Sequence, residues 1–250
     1  MIDVKGKWTL VTGASRGIGY QVAIFMAKQG ANLILHSRNL EHTKKVEQEV
    51  KALGVEVYSV EADLANHESV VRMLDEIEAK GTAVDILFNN AAIQTPYREN
   101  VWETPVADFE QSFQVNVISL VTISNRFIPK MIERGFGRII NTTSGIKDQP
   151  ELSAYAASKA AVDKYTKDLA PRLEGTNVVM SITDPNWCTT DLGGSQAPNT
   201  PESAIPGVAV GAFVNDMQSA CFFPAAAFYN MSFEEAVKKA ESIKPNPYTI

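Results

Sequence analysis

Trp8-Thr9-Leu10-Val11-Thr12-Gly13-Ala14-Ser15-Arg16-Gly17-Ile18-Gly19 is the stretch that decides how this chain folds. Residues 8–12 read as a short buried strand, and they run into glycines spaced Gly-x-x-x-Gly-x-Gly. Beyond them Ile18, Val22, Phe25 and Met26 recur at helical spacing. A strand that turns on glycine into a helix brings bare backbone and the positive end of a helix dipole to one point. Such a point receives a phosphate or pyrophosphate. The spacing is not the commoner Gly-x-Gly-x-x-Gly, so the strand–turn–helix setting carries the reading. Gly13, Ser15, Arg16, Gly17, Ile18 and Gly19 are expected to cradle a dinucleotide.

The same alternation continues outward. Strands are expected at 33–35, 55–60, 84–88, 137–141 and 178–182, each an apolar run. Between them Val46, Val50 and Leu53, and then Val70, Val71, Leu74 and Ile77, mark helices. Thr104 is expected to cap a further helix with Pro105 at its first position and Val106, Phe109, Phe113 and Val117 as its buried stripe. Another helix follows through Phe127 and Met131. One more carries Tyr155, and Pro171 is expected to kink it or end it early. Apolar strands alternating with helices predict an α/β fold with a doubly wound parallel sheet, its ligands held outside the strands' carboxyl ends. We read residues 1–250 as a single domain. The irregular stretch of about 186–215 is expected to be a substrate loop, and Phe233, Val237 and Ala240 a short amphipathic helix.

Composition narrows the function. With 45% hydrophobic and 21% charged residues in 250, the chain resembles ordinary soluble proteins. A net charge of −6 without a basic run argues against nucleic acid as a partner. Cys188 and Cys221 form no metal-ligand spacing, so two buried thiols and no metal are expected. No signal-type apolar stretch opens the sequence and no 18-residue apolar run occurs, which predicts a cytoplasmic protein without a membrane partner. His36, His42 and His67 are read as lying away from strand ends or on polar helix faces, with no part in catalysis.

The second strand ends in His36-Ser37-Arg38-Asn39, with no acid before Glu41. An NAD site wants an acid there for the ribose 2′-hydroxyl. Arg38, with Arg16, suits a 2′-phosphate instead, so NADP(H) is the expected cofactor. Asp63-Leu64 and Asn90-Ala91 follow the third and fourth strands, where small residues permit close approach and Asp63 suits an adenine. Tyr155 and Lys159 lie four residues apart, on one face of a helix. The ammonium is expected to lower the phenol from about 10 toward 7–8, producing a general acid/base.

Taken in order, Thr12-Gly-x-x-x-Gly-Ile-Gly19, Asn89-Asn-Ala-Ala92, Asn116, the Ser/Thr cluster at 142–144 and Tyr155-x-x-x-Lys159 resemble the short-chain dehydrogenases/reductases over nearly the whole chain. The resemblance implies a Rossmann-type fold and catalysis by Ser144, Tyr155, Lys159 and Asn116. Tyr155 would move the proton, Lys159 would also bind the nicotinamide ribose, and Asn116 would hold a relay water. Thr190 would contact the nicotinamide carboxamide, Pro185 would join the cofactor site, and the Ser37-Arg38 pair, with Ser37 also on the cofactor, is similar to that of the NADP(H)-preferring members. Ten residues separate Ser144 from Tyr155, whereas the family's usual twelve would point to Thr142. The shorter gap and the Thr190-Asp-Leu-Gly-Gly194 segment resemble carbonyl-reductase-like members. Asn186 stands where the family usually has glycine. The implied reaction is NADPH-dependent reduction of a ketone, aldehyde or quinone, with alcohol oxidation or a non-catalytic NADPH sensor as alternatives. Ile93, Gln94, Trp187, Cys188, Ile205 and Val208 are candidate pocket residues. The helices around 118–134 and 153–173 are apolar enough for a homodimer or homotetramer.

Overall fold

The computed structural model describes residues 1–245. Its strands are β1 Trp8–Val11, β2 Asn32–Ser37, β3 Val57–Glu61, β4 Val84–Asn89, β5 Gly137–Thr142, β6 Val178–Asp184 and β7 Phe222–Pro224. Its helices are α1 Gly17–Lys28, α2 Lys44–Ala52, α3 His67–Ala79, α4 Val106–Phe113, α5 Ser119–Glu133, α6 Ser153–Leu173 and α7 Phe233–Ala240. The strands form one parallel sheet in the order β3-β2-β1-β4-β5-β6-β7. The chain winds outward from β1 in one direction, then returns to β4 and winds in the other, so the switch point lies between β1 and β4. This is the doubly wound, single-domain Rossmann architecture the alternation predicts.

Neighbouring strand residues feed opposite layers. Leu33 and Leu35 pack with Val22, Met26, Phe88 and Phe213 on one face, while Ile34 packs with Leu10, Leu74, Leu87 and Met180 on the other. Each such side chain contributes roughly 1.5–3 kcal/mol on burial. The two apolar layers thus fix the sheet, and its carboxyl ends are left to the loops. Among the described residues no helix is long and apolar enough to cross a membrane.

Several expectations shift. β7 is an added edge strand of three residues, too short for a periodic signal. Pro105 occupies the cap position of α4 and Val106 is its first residue; the Thr104 hydroxyl donates to the Val101 carbonyl at 2.9 Å, closing the preceding turn. The buried stripe is also rotated. Asp108, Ser112, Val115 and Asn116 face inward, and Val106 is 72% exposed. The reason is Arg98, which grips Asp108 with two bonds of 2.8 and 3.2 Å and so turns the polar face to the protein. A five-residue π-helical turn, Gln114–Ile118, joins α4 to α5 in one rod. α6 runs to Leu173, past Pro171, which sits in the last turn where little helix remains to be broken.

The stretch after β6 divides in two. Residues 187–199 stay on the rim, but Ala204 and the run Val208 to Val214 are buried in the core with Phe223 and Phe228. Val208 and Ile205 therefore pack inward and do not line a pocket, contrary to expectation. α7 forms as predicted, with a Ser232–Glu235 capping box at its start.

Candidate active site

A cavity of about 1070 Å³ opens at the carboxyl ends of the strands, across the β1/β4 switch point. Every cofactor residue expected from sequence lines it except Gly19, and so do Ser144, Tyr155 and Lys159. Ile93, Gln94, Trp187 and Cys188 line it too. Asn116 lies behind the wall.

At the β1–β2 end the backbone sets the shape. Gly17 has φ +55° and packs against Thr190, whose Cγ2 would stand 3.1 Å from an added Cβ. At Gly19 an added Cβ would stand 2.2 Å from the Gly13 carbonyl oxygen, so only glycine fits. α1 then begins with no side-chain cap and no acid in its first turn. Its N–H groups are left for an anion. Arg38 is exposed on the cavity wall and has no carboxylate partner among the described residues. Arg16 instead pairs with Asp191 at 2.6 Å, tying the glycine turn to the loop after β6. Ser37 turns its hydroxyl onto the Asn39 carbonyl at 2.5 Å, and Asp63 accepts from Ala65 N–H at 3.0 Å, so both also shape their own turns.

His36, set aside in the sequence, lines this end and is almost wholly buried. Its carbonyl accepts from Ala14 N–H at 2.9 Å and its Nδ1 from Gly13 N–H at 3.2 Å. Nδ1 can accept only if the proton sits on Nε2, which then donates to the Ala62 carbonyl at 3.1 Å. Burial pushes this imidazole down to about 4, so it is neutral at physiological pH. Thr12 was missed as well: its Oγ1 accepts from Asn90 and Ala91 N–H at 2.9 and 3.0 Å, locking β1 to the end of β4. The signal for both was position, since each occupies a strand's carboxyl end.

At the other end α6 carries Tyr155 and Lys159 on one face, the ammonium 5.7 Å from the ring centre. Lys159 donates to the Thr142 carbonyl at 2.8 Å. Burial lowers it to about 8, against the pull of Asp163 and Asp184. Tyr155 departs from the expected depression. Burial pushes the phenol up to about 12; a hydrogen bond with Ser144 opposes this and the charge of Asp184 adds to it. A buried phenol loses more from desolvation than its ammonium neighbour returns. Of the two serine/threonine candidates, Ser144 is the one hydrogen-bonded to the phenol, while Thr142 offers its backbone carbonyl to Lys159. Asn116 sits in the π-helical turn. Its side chain accepts from Ile93 N–H and donates to the Ile93 carbonyl and to Ser158 Oγ, each at 2.9 Å. It braces the β4 loop against α6, and both its amide hydrogens are committed.

Asn186 adopts φ +63°, a backbone state asparagine tolerates better than most residues. Its side chain donates to Tyr229 Oη at 2.9 Å; that hydroxyl donates to Asn199 Oδ1 at 3.1 Å, and Asn199 Nδ2 donates to the Trp187 carbonyl at 2.9 Å. Trp187, 57% exposed, stays at the cavity mouth with its Nε1 on the Gly193 carbonyl at 2.7 Å. The residue that replaces glycine thus anchors the loop, through partners the sequence did not suggest.

Comparison with known proteins agrees with this geometry. Residues 7–200 match the family model described as short chain dehydrogenase. A 3-oxoacyl-(acyl-carrier-protein) reductase of Aquifex aeolicus (strain VF5) is 32% identical over 195 residues, covering 76% of this chain and 77% of that protein. A 2-dehydro-3-deoxy-L-rhamnonate dehydrogenase (NAD(+)) of Sphingomonas sp. (strain SKA58) is 34% identical over 182 residues, 72% of this chain and 71% of that one. Among solved structures, a 3-oxoacyl (acyl-carrier-protein) reductase from Agrobacterium tumefaciens C58 with NADP bound superposes with a TM-score of 0.73 at 27% identity, over 97% of this chain and 88% of that one.

Proposed function

Because the chain belongs to the short-chain dehydrogenase/reductase family, as an oxidoreductase of CH–OH and carbonyl groups, we propose that it reduces a ketone, aldehyde or quinone with NADPH. The observation that carries the reading is the Tyr155 phenol, which lines the cavity with Ser144 and Lys159 beside the residues expected to hold the cofactor. Held at about 12, it keeps its proton throughout the neutral range, the state a proton donor must be in.

The residues fit the cofactor. The uncapped start of α1 and the glycines that exclude a Cβ suit a pyrophosphate, and the unpaired Arg38 beside Ser37 suits a 2′-phosphate. NADP is also what the Agrobacterium reductase holds. When bound, the dinucleotide supplies the hydride. Tyr155 gives its proton to the carbonyl oxygen. Ser144, hydrogen-bonded to that phenol, orients the oxygen and stabilises charge developing on it. Lys159, cationic below about pH 8, faces the phenolate left behind. The loop after β6 closes the substrate end with Trp187, Cys188 and Leu192, opposite Ile93 and Leu152, which favours a mainly apolar substrate. Alcohol oxidation would use the same residues in reverse.

Tyr155→Phe tests the reading. Across a panel of ketones and quinones its kcat should fall about 10³-fold, while NADPH binding by fluorescence changes less than about threefold. Near-wild-type turnover would remove Tyr155 from the chemistry. In the wild type the reduction rate should hold through neutrality and fall above about pH 8, where Lys159 loses its proton.

A further inference from the structure

The chemistry above leaves unused the buried carboxylate of Asp184, at the carboxyl end of β6. It is only 8% exposed and lines the cavity. Its bonds are to backbone alone: Gly145 N–H donates to Oδ2 at 3.0 Å and Asn186 N–H to Oδ1 at 2.9 Å. These donors belong to different loops. Gly145 directly follows Ser144 beyond β5, and Asn186 opens the turn that leads to Trp187 and Cys188. The fit is close, since an added Cβ at Gly145 would stand 2.8 Å from Oδ2. Burying a carboxylate with no cation bonded to it is costly, and a neutral asparagine or serine would accept such bonds more cheaply. Burial raises this carboxyl, while its two N–H donors and Lys159 pull it back down, so a charge kept here calls for a use. It lies where Lys159 and Tyr155 both feel it.

We propose that Asp184 is a positioning residue for the reaction, holding the Ser144 loop and the Asn186 turn in register across Tyr155, with its carboxylate set toward Lys159. This rests on Tyr155 being the proton donor. The charged and polar groups facing Lys159 are Asp163 on its own helix, Asp184 on β6 and the Thr142 carbonyl on β5; those facing Tyr155 are Lys159 on its own helix, Ser144 and Asp184. Asp184 raises both the lysine and the phenol. Removing its charge lowers both. Reduction then fails at a lower pH, because Lys159 already stands at about 8.

The test compares Asp184→Asn with the wild type in three measurements: the pH profile of kcat for NADPH-dependent carbonyl reduction, NADPH affinity by fluorescence, and hydrogen exchange at the Gly145 amide by NMR. The variant should lose about tenfold in kcat, with NADPH affinity within about threefold. Its alkaline limb should move to lower pH, and its Gly145 amide should exchange faster. An unmoved limb, or a Gly145 amide as protected as in the wild type, overturns the proposal. If the wild type reduces no carbonyl, the functional reading fails, and Gly145 exchange still decides whether Asp184 holds the loop. Should Asp184→Asn not fold, Asp184→Glu serves: it keeps the charge and misplaces it. It should lose kcat while the limb stays put, and wild-type kcat in that variant would overturn the positioning role.

Discussion

At the β1–β2 rim of the cavity the main chain does the holding. Gly13 and Ala14 give their N–H groups to His36, Gly19 admits no Cβ, and the first turn of α1 is left uncapped. At the β5–β6 rim side chains do it: Asp184 spans two loops, and Asn186, Tyr229, Asn199 and Trp187 form a chain of hydrogen bonds. A rim made of backbone is rigid and indifferent to most substitutions elsewhere, which suits the pyrophosphate that NAD and NADP share. A rim made of side chains can be redrawn one residue at a time, which suits a substrate that differs from relative to relative. The family match at residues 7–200 takes in both rims and leaves only the bracing Tyr229 outside.

The comparison breaks first at Gly19. Gly19→Ala would force a methyl to 2.2 Å from the Gly13 carbonyl oxygen and 2.6 Å from Asn90 Nδ2. NADPH affinity should drop at least about 100-fold and stability by roughly 1–3 kcal/mol, read by fluorescence titration and thermal denaturation. Wild-type affinity would mean that this rim yields more readily than a backbone-built one should.

Acid probes the same rim more gently. His36 is neutral when folded, at about 4, against 6.5 in the unfolded chain. The unfolded state therefore binds a proton first as pH falls. Stability from His36 is fully present above about 6.5 and is lost progressively down to about 4, on the order of 3 kcal/mol in all. His36→Asn should be less stable than wild type at pH 7 but show a flatter decline between pH 7 and 4.5 in denaturant titrations. Parallel declines would assign the acid sensitivity to other groups.

The smallest effect is expected at the opposite rim. Tyr229→Phe removes a hydroxyl that bonds both Asn186 and Asn199, worth about 1 kcal/mol. The KM for the carbonyl substrate should rise a few-fold while NADPH affinity stays unchanged. A change in NADPH affinity instead would show that the two rims are not independent.

The doubly wound sheet was legible because strands buried on both faces carry consecutive apolar residues, Leu33-Ile34-Leu35 in β2 and Val178-Val179-Met180 in β6. What escaped had physical reasons. The phase of α4 was lost because its inward face carries Asp108, whose partner Arg98 lies in a loop without periodicity. Residues 208–214 looked like loop by composition but are core, since close backbone packing needs no regular element. In the site, the meeting of Tyr155 and Lys159 follows from a four-residue spacing. The pKa of the phenol does not, because it depends on burial, and no local pattern records that. His36 and Asp184 were missed for a related cause: each gains its meaning from a backbone N–H contributed by a distant loop.

The ion pair between Arg16 and Asp191 has a consequence for traffic through the cleft. Its two side chains remain 65% and 69% exposed, so water and salt weaken their attraction to little. An arriving phosphate carries more charge than the carboxylate it meets and presents more oxygens to the guanidinium. Asp191 is therefore a weak competitor for Arg16, one that an incoming phosphate would displace without breaking a buried contact.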